Sequence, residues 1–185
     1  MDLFDALFGR QSIGKVKPDP VPRELIERAL AAAAQAPNHH KVRPWRFIVL
    51  QGAARDRLGE VMAASLLKRQ PGAAPDLVAV ERAKPLRAPV LIAVAVDKPS
   101  EPKVEEMENV CAAAAATENI LLAAHGLGLA CQWRTGPAAT DPDVKAFLSL
   151  APDQHLIAFV YVGYPLADLL PRTRPGPEDR TTWMP

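Results

Sequence analysis

The chain has 185 residues, 49% of them hydrophobic and 23% charged, with 22 Lys and Arg against 21 Asp and Glu for a formal net charge of +1. That length supports a single core of substantial size, and the balanced charge gives no global field for nucleic acid or an anionic membrane, so any anion site has to be local. Two cysteines without a CxxC pair exclude a disulfide scaffold; Cys111 and Cys131 read as buried free thiols in a reducing cytoplasm.

The first residues lack the charged and apolar regions of a secretory signal. Asp2 to Gly9 reads as a short helix, with Leu3, Phe4, Leu7 and Phe8 at helical spacing and Gly9 as its stop. Arg10 to Asp19 is turn-like and basic. Pro22 opens a second helix, Arg23 to Gln35, with an apolar stripe through Leu25, Ile26, Ala29, Leu30 and Ala33, and Pro37 ends it. Arg46 to Leu50 is a strand before Gly52, and helices follow over Ala54 to Arg69 and Leu77 to Ala83. Val90 to Val96, bounded by Pro89 and Asp97, is an apolar run of strand length, which requires burial on both faces.

Glu105 to His125 is the strongest helix signal, with five alanines, Ala112 to Ala116, giving high propensity and a slim surface. Its apolar part is too short and too interrupted by Thr117, Glu118 and Asn119 to span a bilayer. Leu129 to Trp133 is a strand, Asp141 to Leu148 a helix capped by Asp141, and His155 to Val162 the last strand. This order of elements predicts an α+β fold or an open α/β sheet with helices packed on it. Proline is frequent, 19 in 185, and Pro165, Pro171, Pro175, Pro177 and Pro185 crowd the end with Arg172, Arg174 and Arg180 among them. Residues 1–165 are therefore expected to form one domain and 166–185 an extended arm, disordered or lying along another surface.

Three distant segments share hydrogen-bond donors beside turn residues. Arg10-Gln11-Ser12, with Lys15, offers a guanidinium fork, a hydroxyl and a point charge to an anion, or is simply a solvated basic turn. Pro37-Asn38-His39-His40 puts two imidazoles on a helix-ending loop. Only His125 and His155 are available besides, in no ligand spacing, so no metal site is expected; the imidazoles either bond a ligand ring or face solvent. Trp133-Arg134-Thr135-Gly136 ends a strand, where open sheets bind ligands, although Trp133 reads equally as a core aromatic. No GxGxxG, GxxxxGK[ST] or GxSxG occurs, and no side chain stands out as nucleophile, general acid or general base, so a cofactor would carry the chemistry.

Taken in order, Arg10-Gln11-Ser12, Gln35-Ala36-Pro37-Asn38-His39, Arg43-Pro44-Trp45-Arg46-Phe47, Pro85-Leu86-Arg87-Ala88-Pro89, Gln132-Trp133-Arg134-Thr135-Gly136 and Phe159 to Pro165 resemble the FMN-dependent nitroreductase family, in its compact branch of NAD(P)H nitroreductases. The resemblance implies an α+β fold, a central mixed sheet flanked by helices, and an intertwined cytoplasmic homodimer with FMN at the interface. By position, Arg10, Gln11 and Ser12 would hold the phosphate and flavin edge, with Pro37 and His39 as further contacts and Trp133, Arg134 and Thr135 arriving from the other subunit. Gln35 and the run Ala123, Ala124, His125, Gly126, Leu127 and Gly128 match positions linked to the nicotinamide nucleotide. The activity implied is ping-pong hydride transfer from NAD(P)H through flavin N5 to a nitro compound, quinone or similar small molecule, without nucleic acid or membrane as partner. The alternative is a flavin-binding or storage protein without turnover. Two positions depart from the family pattern: Gln11 stands where many members have a second arginine, and Gly14 where larger members are basic.

Overall fold

A computed structural model describes residues 1–100, 102–167 and 170–184; Glu101, Asp168, Leu169 and Pro185 lie outside the described residues, the last among the prolines expected in the arm. Helix α1 (Leu3–Gly9) starts at a reciprocal capping box between Asp2 and Asp5. Helix α2 (Arg23–Ala33) follows, then strand β1 (Trp45–Gln51), α3 (Ala53–Arg69), α4 (Pro75–Ala83, with Pro75 in its first turn) and β2 (Val90–Val96). Helix α5 (Glu106–Gly126) is the longest, opened by a second capping box between Glu105 and Glu108. Strand β3 (Ala130–Arg134), the short helices α6 (Pro137–Thr140) and α7 (Pro142–Phe147), and β4 (His155–Gly163) complete the order.

The four strands form one sheet in the order β1-β2-β4-β3, and all three ladders are antiparallel. The expected mixed character is confined to one isolated parallel bridge, Ser12 with Cys131. Central β2 is buried along its whole length, as its unbroken apolar run requires. Successive side chains on a strand point to opposite faces. Val90, Ile92 and Val94 accordingly join Val160 and Val162 in a core under α2 and α5, while Leu91, Ala93 and Ala95 join Phe159 and Tyr161 in a second core with residues of α3 and α7.

Helices α2 and α5 meet along small side chains, with Ala29 and Ala33 of one and Ala113 and Ala116 of the other almost fully buried. Asn119 of α5 donates to the carbonyl of Ala32 (3.1 Å), locking the pair. Helix α1 behaves differently. It buries none of its residues, and Leu3, Phe4 and Phe8 are 65–76% exposed. The tail from residue 170 is irregular apart from one 3-10 turn, Glu178–Arg180.

Candidate functional site

The chain leaving α1 becomes an added strip beside edge strand β3. Arg10 caps α1 through its backbone N–H to Ala6 (3.0 Å), and Ile13 N–H donates to the Cys131 carbonyl (2.9 Å) next to the Ser12 bridge. The strip continues to a bridge between Val16 and Pro165 at the end of β4. It adds here because β3 is an edge strand with backbone groups to spare. The rule that ligands gather at strand carboxyl ends belongs to parallel sheets; this edge, and not that rule, brings residues 10–16 to β3.

Alternation along β3 separates its roles. Trp133 turns into the core beneath α5 and donates its indole N–H to the Ile157 carbonyl (3.0 Å). Gln132 and Arg134 take the other side, joined by Arg134 Nε donating to Gln132 Oε1 (2.9 Å). Thr135 and Gly136 are exposed, and Gly136 sits at φ +108, a conformation L side chains rarely adopt.

The Arg10 guanidinium is 14% exposed and pairs with Glu118 of α5 (3.1 Å). His125, near the end of α5, packs under Gly9, where an added Cβ would lie 3.1 Å from its Nε2. Desolvation and then the neighbouring Arg10 charge hold this imidazole below its ordinary pKa, so it is neutral at pH 7. The tail returns to the same place. Gln11 Nε2 donates to the Leu170 carbonyl (2.6 Å), Arg174 donates to the Arg10 carbonyl (2.7 Å), and Arg172 borders a cavity of about 490 Å³ with Phe8, Gln11 and His125. Arg172 and Arg174 are thus members of the group that motif reading did not assign. The Arg-x-Arg-Pro pattern in a proline-rich tail was the available signal.

Pro37 and His39 lie elsewhere. Asn38 clamps its loop by accepting from Arg43 N–H (2.8 Å) and donating to the Ala36 carbonyl (3.3 Å). His40, Lys41 and Arg43 all have left-handed φ, at 49°, 57° and 49°. Each costs about 1–2 kcal/mol in a non-glycine residue, strain of the kind that clusters at functional loops. His39 Nε2 is 3.4 Å from Glu108 Oε1 at the start of α5, beside a cavity of about 340 Å³ that Cys111 also lines. Cys111 is exposed, contrary to the expectation of two buried thiols, because it lies on the face of α5 turned to this cavity. Cys131 is buried, and burial pushes its pKa up to about 12.

The fifteen residues singled out therefore fall into separate groups. Arg10, Gln11 and Ser12 adjoin β3, which carries Trp133 and Arg134 and leads into Thr135, within one chain. His39 and Arg10 instead contact α5 at Glu108 and Glu118, ten residues or about 15 Å apart along the axis. Gln35, exposed just past the end of α2, donates its side-chain amide back to the Ala31 carbonyl (3.3 Å), while Asn119 of α5 holds the same helix end at Ala32. Within the run Ala123 to Gly128, Ala124 is fully buried in the core and Leu127 N–H closes the helix on Ala123; Gly126 and Gly128 are the exposed members.

The chain is similar to known proteins in sequence and in fold. YdjA of Escherichia coli K12, named for NAD(P)H nitroreductase activity, is 29% identical over 168 residues, 89% of each chain. A Methanothermobacter thermautotrophicus protein named for NADH dehydrogenase and NAD(P)H nitroreductase activity is 34% identical over 168 residues, 89% of this chain and 78% of its own. Among solved structures, a nitroreductase-like family protein from Bacillus cereus superposes with a TM-score of 0.85 at 20% identity over 100% of this chain and 96% of that one. The FMN-dependent nitroreductase NfnB of Mycobacterium smegmatis, solved with NADPH, gives 0.76 at 19% identity over 98% and 97%. The profile of the nitroreductase family matches residues 7–164, and the chain belongs to that family.

Proposed function

We propose that this protein is an FMN-dependent NAD(P)H oxidoreductase of nitro compounds, quinones or similar acceptors, working by a ping-pong cycle in a homodimer. One observation carries the reading. The donors at Arg10 and those at His39 sit about 15 Å apart along α5, and the apolar face of α1 is bare, so a second copy has both a surface to cover and a donor group to contribute.

The donor set fits the cofactor. Guanidiniums of Arg10, Arg172 and Arg174 with the Ser12 hydroxyl suit a phosphate dianion, because charge-assisted forks match its oxygens. Gln11, Arg134 and Thr135 would face the ring edge, with Pro37 and His39 supplied by the partner subunit. When bound, FMN would supply two-electron transfer between nicotinamide and acceptor. The residues of this chain would do the rest electrostatically. Arg134, held by Gln132, directs positive charge at the ring edge, and the neutral His125 leaves the site's positive charge to its arginines. Gly126 and Gly128 leave backbone exposed where a flat nicotinamide has to approach.

The test is the visible flavin band of the purified protein, followed anaerobically as NADH or NADPH is added. Bleaching that reverses with a quinone or nitroaromatic is the expected result. A yellow protein that no nicotinamide bleaches is instead a flavin store.

A further inference from the structure

We propose that Lys17, Arg55 and Arg87 form a second anion site, one that binds a phosphoryl group outside the flavin groove. The three side chains line one cavity of about 350 Å³, together with Asp56, Val16 and Pro89. They come from separate places: the strip beyond β3, the first turn of α3, and the 3-10 turn Lys84–Arg87 that leads into β2.

Their charges are uncommitted. Among the described residues Lys17, Arg55 and Arg87 pair with no carboxylate, as is also true of Lys15, Arg28 and Arg57, but these three share one cavity. Three cations against the single carboxylate of Asp56 leave the cavity with a net charge of about +2 at neutral pH. Like charges in excess of their one counter-ion repel one another, and a bound anion lowers that cost.

Hydrogen bonding points the same way. Arg55 spends one guanidinium nitrogen on the Ala88 carbonyl (2.5 Å), which fixes the fork at the cavity wall. Its Nε is buried, and it is the one buried side-chain nitrogen or oxygen among the described residues without a hydrogen-bond partner. Buried donors are almost always satisfied, and a small turn of the Arg55 side chain would bring this one to an acceptor bound in the cavity that the residue lines. A phosphoryl oxygen meets the need for charge and for several acceptor lone pairs at once. The positive end of the α3 dipole adds to the field there.

The site adjoins the sheet edge without being part of the flavin group. Arg87 and Arg134 both act on Tyr161, whose phenol burial pushes up and these two charges pull down. The ligand is therefore either a free phosphate or phosphate ester, or the phosphate of a nucleotide lying across the edge.

Inorganic phosphate titrated into the FMN-loaded protein, with the flavin phosphate pocket already filled, reads the site directly by calorimetry. One saturable event per chain is expected. Arg87→Met and Lys17→Met, both exposed positions, each weaken it about tenfold, while Asp56→Asn strengthens it about threefold, a gain that misfolding cannot mimic. Flavin content stays constant in all three. Adenosine 2′,5′-bisphosphate binding about tenfold tighter than phosphate, with the same response to Arg87→Met, assigns the nucleotide source; equal affinity assigns the free ion. Absence of saturable binding, or binding indifferent to both Arg87→Met and Asp56→Asn, overturns the proposal.

Discussion

Gly14 and Gln132 meet so closely that an added Cβ at residue 14 would lie 2.6 Å from Gln132 Oε1, the same atom that accepts from Arg134. The space beside residue 14 is therefore filled by a side-chain amide that holds a guanidinium. Gly14→Ala should push the amide aside and release Arg134. Because the displaced group is the end of a flexible side chain, stability should fall by less than about 1 kcal/mol. FMN affinity should fall about threefold to tenfold, measured by fluorescence titration alongside a thermal melt.

The proposed two-chain site makes a stoichiometric prediction. Arg10→Met and His39→Ala, each prepared alone, should bind FMN poorly. Equal amounts unfolded and refolded together should recover about a quarter of the native sites, since random pairing makes half the dimers mixed and each mixed dimer has one intact groove. No recovery would mean that both residues serve the same chain's site.

The thiols should separate cleanly. At pH 8 in native protein, an aromatic disulfide reagent should titrate one thiol per chain, Cys111, which is exposed. Cys131, with its pKa pushed up to about 12 by burial, should react only in denaturant. Addition of saturating FMN should slow Cys111 if the cavity it shares with His39 faces the cofactor.

Asp141 ties α7 to α3. Its carboxylate accepts from Ser65 and Arg69 of α3 and from the N–H groups of Asp143 (3.0 Å) and Val144 (3.1 Å) in its own helix. Asp141→Ala removes a cap and leaves a buried hydroxyl and a guanidinium without their acceptor. A loss of about 2–4 kcal/mol is expected by urea denaturation, against about 1 kcal/mol for a cap alone.

His125 predicts a pH dependence. Its folded pKa is depressed below the ordinary 6.5, by desolvation first and Arg10 second. The unfolded chain then takes up the proton more readily, so this stabilisation is complete above pH 6.5 and is lost as pH falls toward the folded value. His125→Gln should flatten the stability profile between about pH 5 and 7 relative to wild type, measured by chemical denaturation at each pH.

Local rules made most elements readable. β2 was legible to the residue because a run buried on both faces admits no polar position, and Pro89 and Asp97 bracket it. Capping chemistry placed the start of α7 at Asp141. The short helix α1 was legible from the spacing of Leu3, Phe4, Leu7 and Phe8, but that spacing describes an apolar face and not what covers it. Cys111 misled for the same reason: its neighbours in sequence are core alanines, while its own direction around α5 is outward. The union of residues 10–14 with β3 depends on which strand forms the sheet edge, a long-range choice that no window of sequence contains. Arg174 over Arg10 is a contact across 164 positions, and a proline-rich tail gives no periodicity from which to infer it.

The strand order has a consequence for how the chain is made. β4 lies between β2 and β3 and pairs with both, yet it follows the other three strands of the sheet in the chain. A ribosome that has extruded the first 150 residues has delivered every helix of the two cores but a sheet with a gap at its third place. Until residues 155–163 emerge, β2 exposes an unpaired apolar edge, and completion of the sheet has to wait for them.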